Sequence, residues 1–277
     1  MAEQVKIRAN LLDTSTAQTT DNWHNLLNLQ TKMFLPHEIR FLLNSSIWHD
    51  AKSVLDIGCG NGAYISQISN YFPEKFYTGI DISPELIEIA QTQHTKNNVQ
   101  FLHKNLQEFK PDQQFDLIIM RLIVQHLNDF ATVLSMTSKL LKPGGAVLII
   151  EPDLENFCNR PETPKFENLM QSIDSHSAQQ QTNRCILSEL GHIAKTTGQW
   201  SIAQDIQTAV PFIGPFINSD LLRLYQYWID ILEQSNILSI TLGNVRNELK
   251  IWADKPTSYA QIGIRFLLLK AKAGTAY

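Results

Sequence analysis

The chain has 277 residues, 43% hydrophobic and 18% charged, with 12 glycines and 11 prolines. That composition excludes a collagen-like, coiled-coil or wholly disordered chain, and the length suits one elaborated domain or two small ones. With 23 basic against 27 acidic residues the net charge is −4, so no basic excess calls for a nucleic-acid partner.

Residues 1–21 are polar and rich in Thr and Ser, which predicts a flexible tail; the first residues lack the apolar run of a secretory signal. Over 22–50, Trp23, Leu26, Leu27, Met33, Phe34, Leu35, Ile39, Leu42 and Leu43 recur at helical spacing. They predict a helical cover made of two helices broken near Pro36, because proline disfavours helix in the residue before it. Ser53–Ile57 is then a short apolar strand ending in a glycine loop, with a helix over 61–70 and a second strand over 76–80. Strand, loop, helix and strand in about 30 residues make a parallel βαβ unit. Ser83 and Pro84 open the next helix as N-cap and first-turn proline. Val99–Leu102 and Phe115–Ile119 are the third and fourth strands. A helix through Phe130, Val133, Leu134, Thr137 and Leu140 stops at Lys142-Pro143-Gly144-Gly145, and Ala146–Ile150 is the fifth strand. Such near-continuous apolar runs fit strands buried on both faces, hence a doubly wound α/β sheet.

Beyond Glu151 the alternation lapses. The prolines and the Gln179-Gln180-Gln181 tract predict a loop-and-helix insertion over 154–184. A helix over 187–197 and a strand near 201–208 follow, then a helical insertion over 211–257 whose Leu221, Leu224, Tyr225, Trp228 and Leu232 form one stripe. Residues 258–277 supply the seventh strand, over 262–269, and a tail. Residues 22–277 are thus expected to form a single domain, with 51–153 as its ligand-binding half and two helical lid insertions. Cys59, Cys158 and Cys185 are widely spaced and in no metal-ligand pattern, so they read as free thiols and no metal is expected. No run approaches the roughly 18 apolar residues of a membrane span, and a cytoplasmic protein without membrane contact is the expectation.

The chemistry centres on Val54-Leu55-Asp56-Ile57-Gly58-Cys59-Gly60-Asn61-Gly62, where the first strand turns into a helix. Glycines there let the backbone turn tightly and a ligand lie against it. The spacing is G-x-G-x-G, not the G-x-G-x-x-G of dinucleotide binders. Asp81 closes the second strand, where a carboxylate binds ribose hydroxyls or caps the helix at Pro84.

These residues resemble a known family. The glycine segment is similar to the first motif of class I S-adenosylmethionine-dependent methyltransferases, and Gly79-Ile80-Asp81-Ile82-Ser83 to their second. The resemblance continues through Phe115–Leu127 and Leu141–Gly145 and covers about residues 50–153. Arg121-Leu122-x-x-Gln125-His126-Leu127 with Glu151-Pro152-Asp153 is similar to a bacterial subgroup acting mainly on small molecules. It implies a Rossmann-like, mostly parallel seven-stranded sheet and S-adenosylmethionine as cofactor. Gly58 and Gly60 would pass under its methionine part, Asp56 would help hold its ammonium, Asp81 would bind the ribose, and Ile82 would pack on the adenine. The family usually carries an acid after the third strand; here Asn105, followed by Leu106, stands in its place, and an amide oxygen accepts the same hydrogen bond with less charge assistance. Met120 and Arg121 would lie beside the transferable methyl, and Cys59 reads as a small filler of the cofactor loop.

A sulfonium is an activated donor, so transfer is an in-line displacement that needs alignment more than acid–base chemistry. His126 is a candidate base, although a histidine at the start of a helix is more often a packing or capping residue. Arg121 either meets a substrate carboxylate or pairs with Glu151 or Asp153. Gln125, Glu151 and Asp153 are the substrate-side candidates. The expected partner is a small-molecule acceptor, and a homodimer is compatible with the sequence. A macromolecular acceptor, a cofactor-binding protein without turnover, and a nicotinamide-dependent oxidoreductase are the alternatives; the glycine spacing and the lack of a Ser/Tyr/Lys set speak against the last.

Overall fold

The computed structural model describes residues 16–127, 129–179, 187–235 and 242–272. Its strands are β1 (Ser53–Ile57), β2 (Phe76–Asp81), β3 (Val99–His103), β4 (Phe115–Arg121), β5 (Leu141–Arg160), β6 (Trp200–Ile213) and β7 (Tyr259–Ala271). They form one seven-stranded sheet in the order β3-β2-β1-β4-β5-β7-β6, parallel except that β7 runs antiparallel to β5 and β6. The doubly wound, mostly parallel α/β fold expected from the sequence is therefore the one observed.

Period-two alternation assigns the central strands to two cores. Val54, Leu117, Ile119, Leu148 and Ile150 bury on one face, Leu55, Ile118, Met120, Val147 and Ile149 on the other. Helices α3 (Ala63–Tyr71) and α4 (Pro84–His94) cover the first face, α5 (Phe130–Leu140) and α7 (Leu187–Thr196) the second. Ser83 caps α4, its hydroxyl accepting from Leu86 N–H at 3.2 Å with Pro84 at the first helical position. The chain moves outward from β1 to β3 and then returns to the other side of β1 as β4. At that reversal the carboxyl ends of β1 and β4 flank a crevice, where open sheets of this kind receive ligands.

Four expectations change. The amino-terminal segment is one helix, α1 (Ala17–Leu43), with Pro36 inside it. A proline within a helix costs about 3 kcal/mol, and burial of Leu26, Phe34, Leu35, Ile39 and Leu42 on both sides of it against one core offsets that cost. The predicted tail is shorter than 21 residues, because Thr16 caps α1 by accepting from Thr19 N–H at 3.1 Å; residues 1–15 lie outside the described residues. β5 does not end near Ile150 but runs to Arg160, since its extension pairs with β7 at Cys158↔Gln261, Asn159↔Ala260 and Arg160↔Tyr259 past an irregularity after Asp153. β6 likewise reaches Ile213, paired with Tyr259, so 154–160 and 211–213 are sheet rather than insertion.

The remaining insertions are α6 (Pro164–Gln179) and the pair α8 (Pro215–Gln234) and α9 (Leu242–Ala253), while the short helix α2 (Ser46–Asp50) links α1 to β1. Phe166 and Tyr225 are buried with ring centroids 4.6 Å apart, and Trp228 packs edge-on to Phe166, which makes the aromatic stripe the core between these helices. Gln180, Gln181 and Cys185 lie outside the described residues. Among the described residues no helix is long and apolar enough to cross a membrane, and no cluster of three metal-ligating side chains occurs.

Candidate active site

Gly58, Gly60 and Gly62 all adopt positive φ, at 76°, 54° and 76°. The first two allow the close approach of other side chains: a Cβ on Gly58 would stand 2.1 Å from Ile123 Cδ1, and one on Gly60 2.7 Å from Leu27 Cδ1 of α1. The loop is tied to β2, with Gly58 N–H and Cys59 N–H donating to Ile80 O at 2.8 and 3.1 Å. Gly60 N–H donates to Asp81 Oδ2 at 2.8 Å and Ser83 N–H to Asp81 Oδ1 at 2.9 Å. Of the two tasks the sequence left open, ribose binding and capping at Pro84, the contacts present are on the helix side, where Asp81 braces the entry to α4 through Ser83 N–H; it braces the glycine loop as well. Burial raises its carboxyl pKa, opposed by those backbone donors. Cys59 is buried against Gly79, where a Cβ would meet its Sγ at 2.8 Å. Burial pushes its thiol well above the usual range, so it stays protonated and inert.

Beneath the loop lies a buried ionic cluster of Asp56 from β1, Arg121 from β4, Tyr64 from α3 and Glu38 from α1. Their exposures are 2%, 8%, 4% and 1%. Arg121 pairs with neither Glu151 nor Asp153, the two acids offered by the sequence. Its Nε donates to Glu38 Oε1 at 2.8 Å, an Nη donates to Gln30 O at 3.3 Å, and the guanidinium lies 4.5 Å over the Tyr64 ring. The reason is topological: α1 crosses this end of β4 and delivers a carboxylate there. Asp56 Oδ1, Glu38 Oε2 and Tyr64 Oη have no hydrogen-bond partner. Burial first, and then the nearby Asp81 and Glu38 charges, lift Asp56 to about 8 despite Arg121.

Glu151 serves the loop after β4. Its Oε1 accepts from Val124 N–H at 2.5 Å and its Oε2 from Gln125 Nε2 at 3.2 Å, while burial pushes its carboxyl to about 8. That loop is strained: Leu122 sits at φ 57°, and its N–H donates to Ile150 O at 2.8 Å. The bend aims Ile123 at Gly58 and starts the 3-10 turn of Val124–His126. Met120 is fully buried beside Ile57 in the register of β1 and β4. Asp153 lies apart, accepting from Asn156 Nδ2 at 2.6 Å.

Asn105 and Leu106 line a largely apolar cavity with Ile57, Gln107, Ile123 and Leu127. The side-chain oxygen of Asn105 already accepts from Gln107 N–H at 3.0 Å. Ile82 does not line this cavity; its carbonyl faces His103 Nε2 at 3.1 Å. Glu38, Tyr64 and Ile123 were missed in the sequence. Glu38 carried a signal, since it stands on the buried stripe of Phe34, Leu35, Phe41 and Leu42, where an unpaired charge is costly.

A family model described as a methyltransferase domain matches residues 48–210, more than half of the chain. The chain belongs to that methyltransferase family. It is 29% identical over 114 residues to malonyl-[acyl-carrier protein] O-methyltransferase of Priestia megaterium, covering 41% of this chain and 42% of that protein. The Bacillus anthracis protein of the same name is 31% identical over 118 residues, 43% of this chain and 42% of its own. The matches thus span about two-fifths of these relatives' length. Among solved structures, the plantazolicin methyltransferase BpumL superposes with a TM-score of 0.50 at 17% identity, over 96% of this chain and 95% of that one, a likeness of fold.

Proposed function

We propose that the chain is an S-adenosylmethionine-dependent methyltransferase acting on a small-molecule acceptor. The observation that carries this reading is the unpaired Asp56 Oδ1, buried under a glycine loop whose Gly60 N–H is held by Asp81. The residues fit a ligand with an amino-acid end, a ribose and a base. An ammonium satisfies the Asp56 oxygen, ribose hydroxyls reach lone pairs that Gly60 and Ser83 leave on Asp81, and the apolar wall of Ile57 and Leu106, with Asn105 beside it, offers a flat base a surface to pack on. Cys59 and Ile82 frame the loop and the ribose side, and Met120 and Arg121 bound the methyl side.

When bound, the cofactor supplies a methyl already activated on a sulfonium. The chain's share is alignment and exclusion of water. Glu151 holds the loop from Ile123 to Gln125 through two hydrogen bonds, fixing the wall opposite the glycine loop. Helices α6, α8 and α9 pack on one another and, with α1, in the core of the sheet's first face; on this reading they are the acceptor-side cover, within one domain. Since Glu151 is already occupied by Val124 and Gln125, it is a poor base, and His126 is the remaining candidate in that loop. Calorimetry with S-adenosylhomocysteine tests the reading: micromolar binding supports it, and no binding by the wild type overturns it. The names of the malonyl-[acyl-carrier protein] relatives favour a second acceptor, a carboxylate on a carrier thioester; methyl transfer to a carrier-bound but not a free acid would select it.

A further inference from the structure

Three buried hydrogen-bonding atoms without a partner, Asp56 Oδ1, Glu38 Oε2 and Tyr64 Oη, belong to side chains gathered around the guanidinium of Arg121. With both carboxyls ionised, two carboxylates and one guanidinium would leave this cluster one negative charge in excess where water cannot screen it, so without a ligand Asp56 keeps a proton. Buried charge of this kind is tolerated only when neutralised or paired. A primary ammonium carries one positive charge and three N–H donors, which matches the excess charge and the three unpartnered atoms. Asp56 comes from the strand and Tyr64 from α3, but Glu38 comes from α1, outside the 48–210 segment matched by the family model.

We infer that Glu38 is a positioning residue of the cofactor pocket: held by Arg121, it joins Asp56 and Tyr64 in a cage for the primary ammonium of the ligand's amino-acid end. The inference rests on the proposed cofactor reading. It makes α1 a wall of the pocket as well as a cover, consistent with Leu27 on Gly60 and with Asn61 Nδ2 donating to Asn28 Oδ1 at 3.0 Å.

The test compares S-adenosylhomocysteine with 5′-methylthioadenosine, which keeps the adenosine and sulfur but lacks the ammonium, by calorimetry and by thermal shift up to millimolar ligand. Glu38→Gln keeps the shape and removes the charge. It is expected to weaken S-adenosylhomocysteine at least tenfold and leave methylthioadenosine within twofold. Tyr64→Phe keeps the ring over Arg121 and loses one acceptor; about fivefold weakening, again confined to the ligand with the ammonium, is expected. If Glu38→Gln does not fold, Tyr64→Phe decides alone. Unchanged S-adenosylhomocysteine affinity, or equal weakening of both ligands as a purely structural role would give, overturns the inference while wild-type binding leaves the cofactor reading standing. Failure of the wild type to bind S-adenosylhomocysteine removes the cofactor reading itself.

Discussion

Replacing Asp56 by Asn tests the central electrostatic claim. Burial, with Asp81 and Glu38 nearby, holds the Asp56 carboxyl at about 8 in the folded protein, against a value near 3.8 when exposed. The other groups around it are Arg121 from β4 and Tyr64 from α3. Between those two pH values the unfolded chain has released the proton and the folded chain keeps it. Folded stability from this group is therefore complete below about pH 4 and is lost as pH rises toward 8, at about 1.4 kcal/mol per unit. Asn has no such proton. From pH 5.5 to 7.5 the wild type should lose about 3 kcal/mol more than Asp56→Asn in urea unfolding, whatever the other titrations shared by both proteins contribute. S-adenosylhomocysteine should reduce the difference, because its ammonium replaces the proton, and wild-type binding near pH 7 should release about one proton when measured in buffers of different ionisation enthalpy. Parallel stability profiles for the two proteins would refute the reasoning.

Asp81→Ala leaves Gly60 and Ser83 N–H without their acceptor and removes the proposed ribose contact, so S-adenosylhomocysteine affinity should fall by about 100-fold in calorimetry. Gly58→Ala meets Ile123 and a φ of 76°; unfolding should show a loss of about 2 kcal/mol or more, and adding Ile123→Ala should return only the steric part. Glu151→Leu removes the acceptor for Val124 N–H and Gln125 Nε2, so turnover should drop at least tenfold in a methyl-transfer assay, with S-adenosylhomocysteine affinity changed less than threefold. Glu151→Gln, which keeps one oxygen for Val124, should lie between.

The sheet was legible because its signals are local. Apolar runs at 117–120 and 146–150, and at 54–57 with Asp56 as the one polar member, specify buried parallel strands without knowledge of their neighbours, and those at 54–57 and 146–150 adjoin glycine turns. Strand lengths were not legible, since the extension of β5 beyond Asp153 and of β6 to Ile213 comes from pairing with β7, more than 45 residues away in sequence. The cofactor-side carboxylates, Asp56 and Asp81, stand at strand ends that the glycine spacing marks. The partner of Arg121 was hidden because Glu38 is 83 residues upstream, on a helix that the proline rule divides. A local backbone preference worth about 3 kcal/mol yielded there to the burial of five large side chains.

That undivided helix has a consequence for how the site is built. Through Leu27, His24 and Asn28 it touches the glycine loop, through Gln30 and Glu38 it holds Arg121 at the end of β4, and through Lys32 it pairs with Asp220 of α8 at 2.5 Å. Phe41 stacks on Phe266 of β7, with centroids 4.6 Å apart. Two halves of α1 hinged at Pro36 would let the loop contacts move independently of the Arg121 contact. Continuous through Pro36, α1 carries Leu27 and Glu38 on one rod of 3.6 residues per turn, so a shift that opens the glycine loop also pulls on the ion pair beneath it and on α8 above the acceptor side. On the proposed reading, cofactor pocket and acceptor cover therefore share one mechanical element, and the buried charge at Glu38 marks where it is pinned.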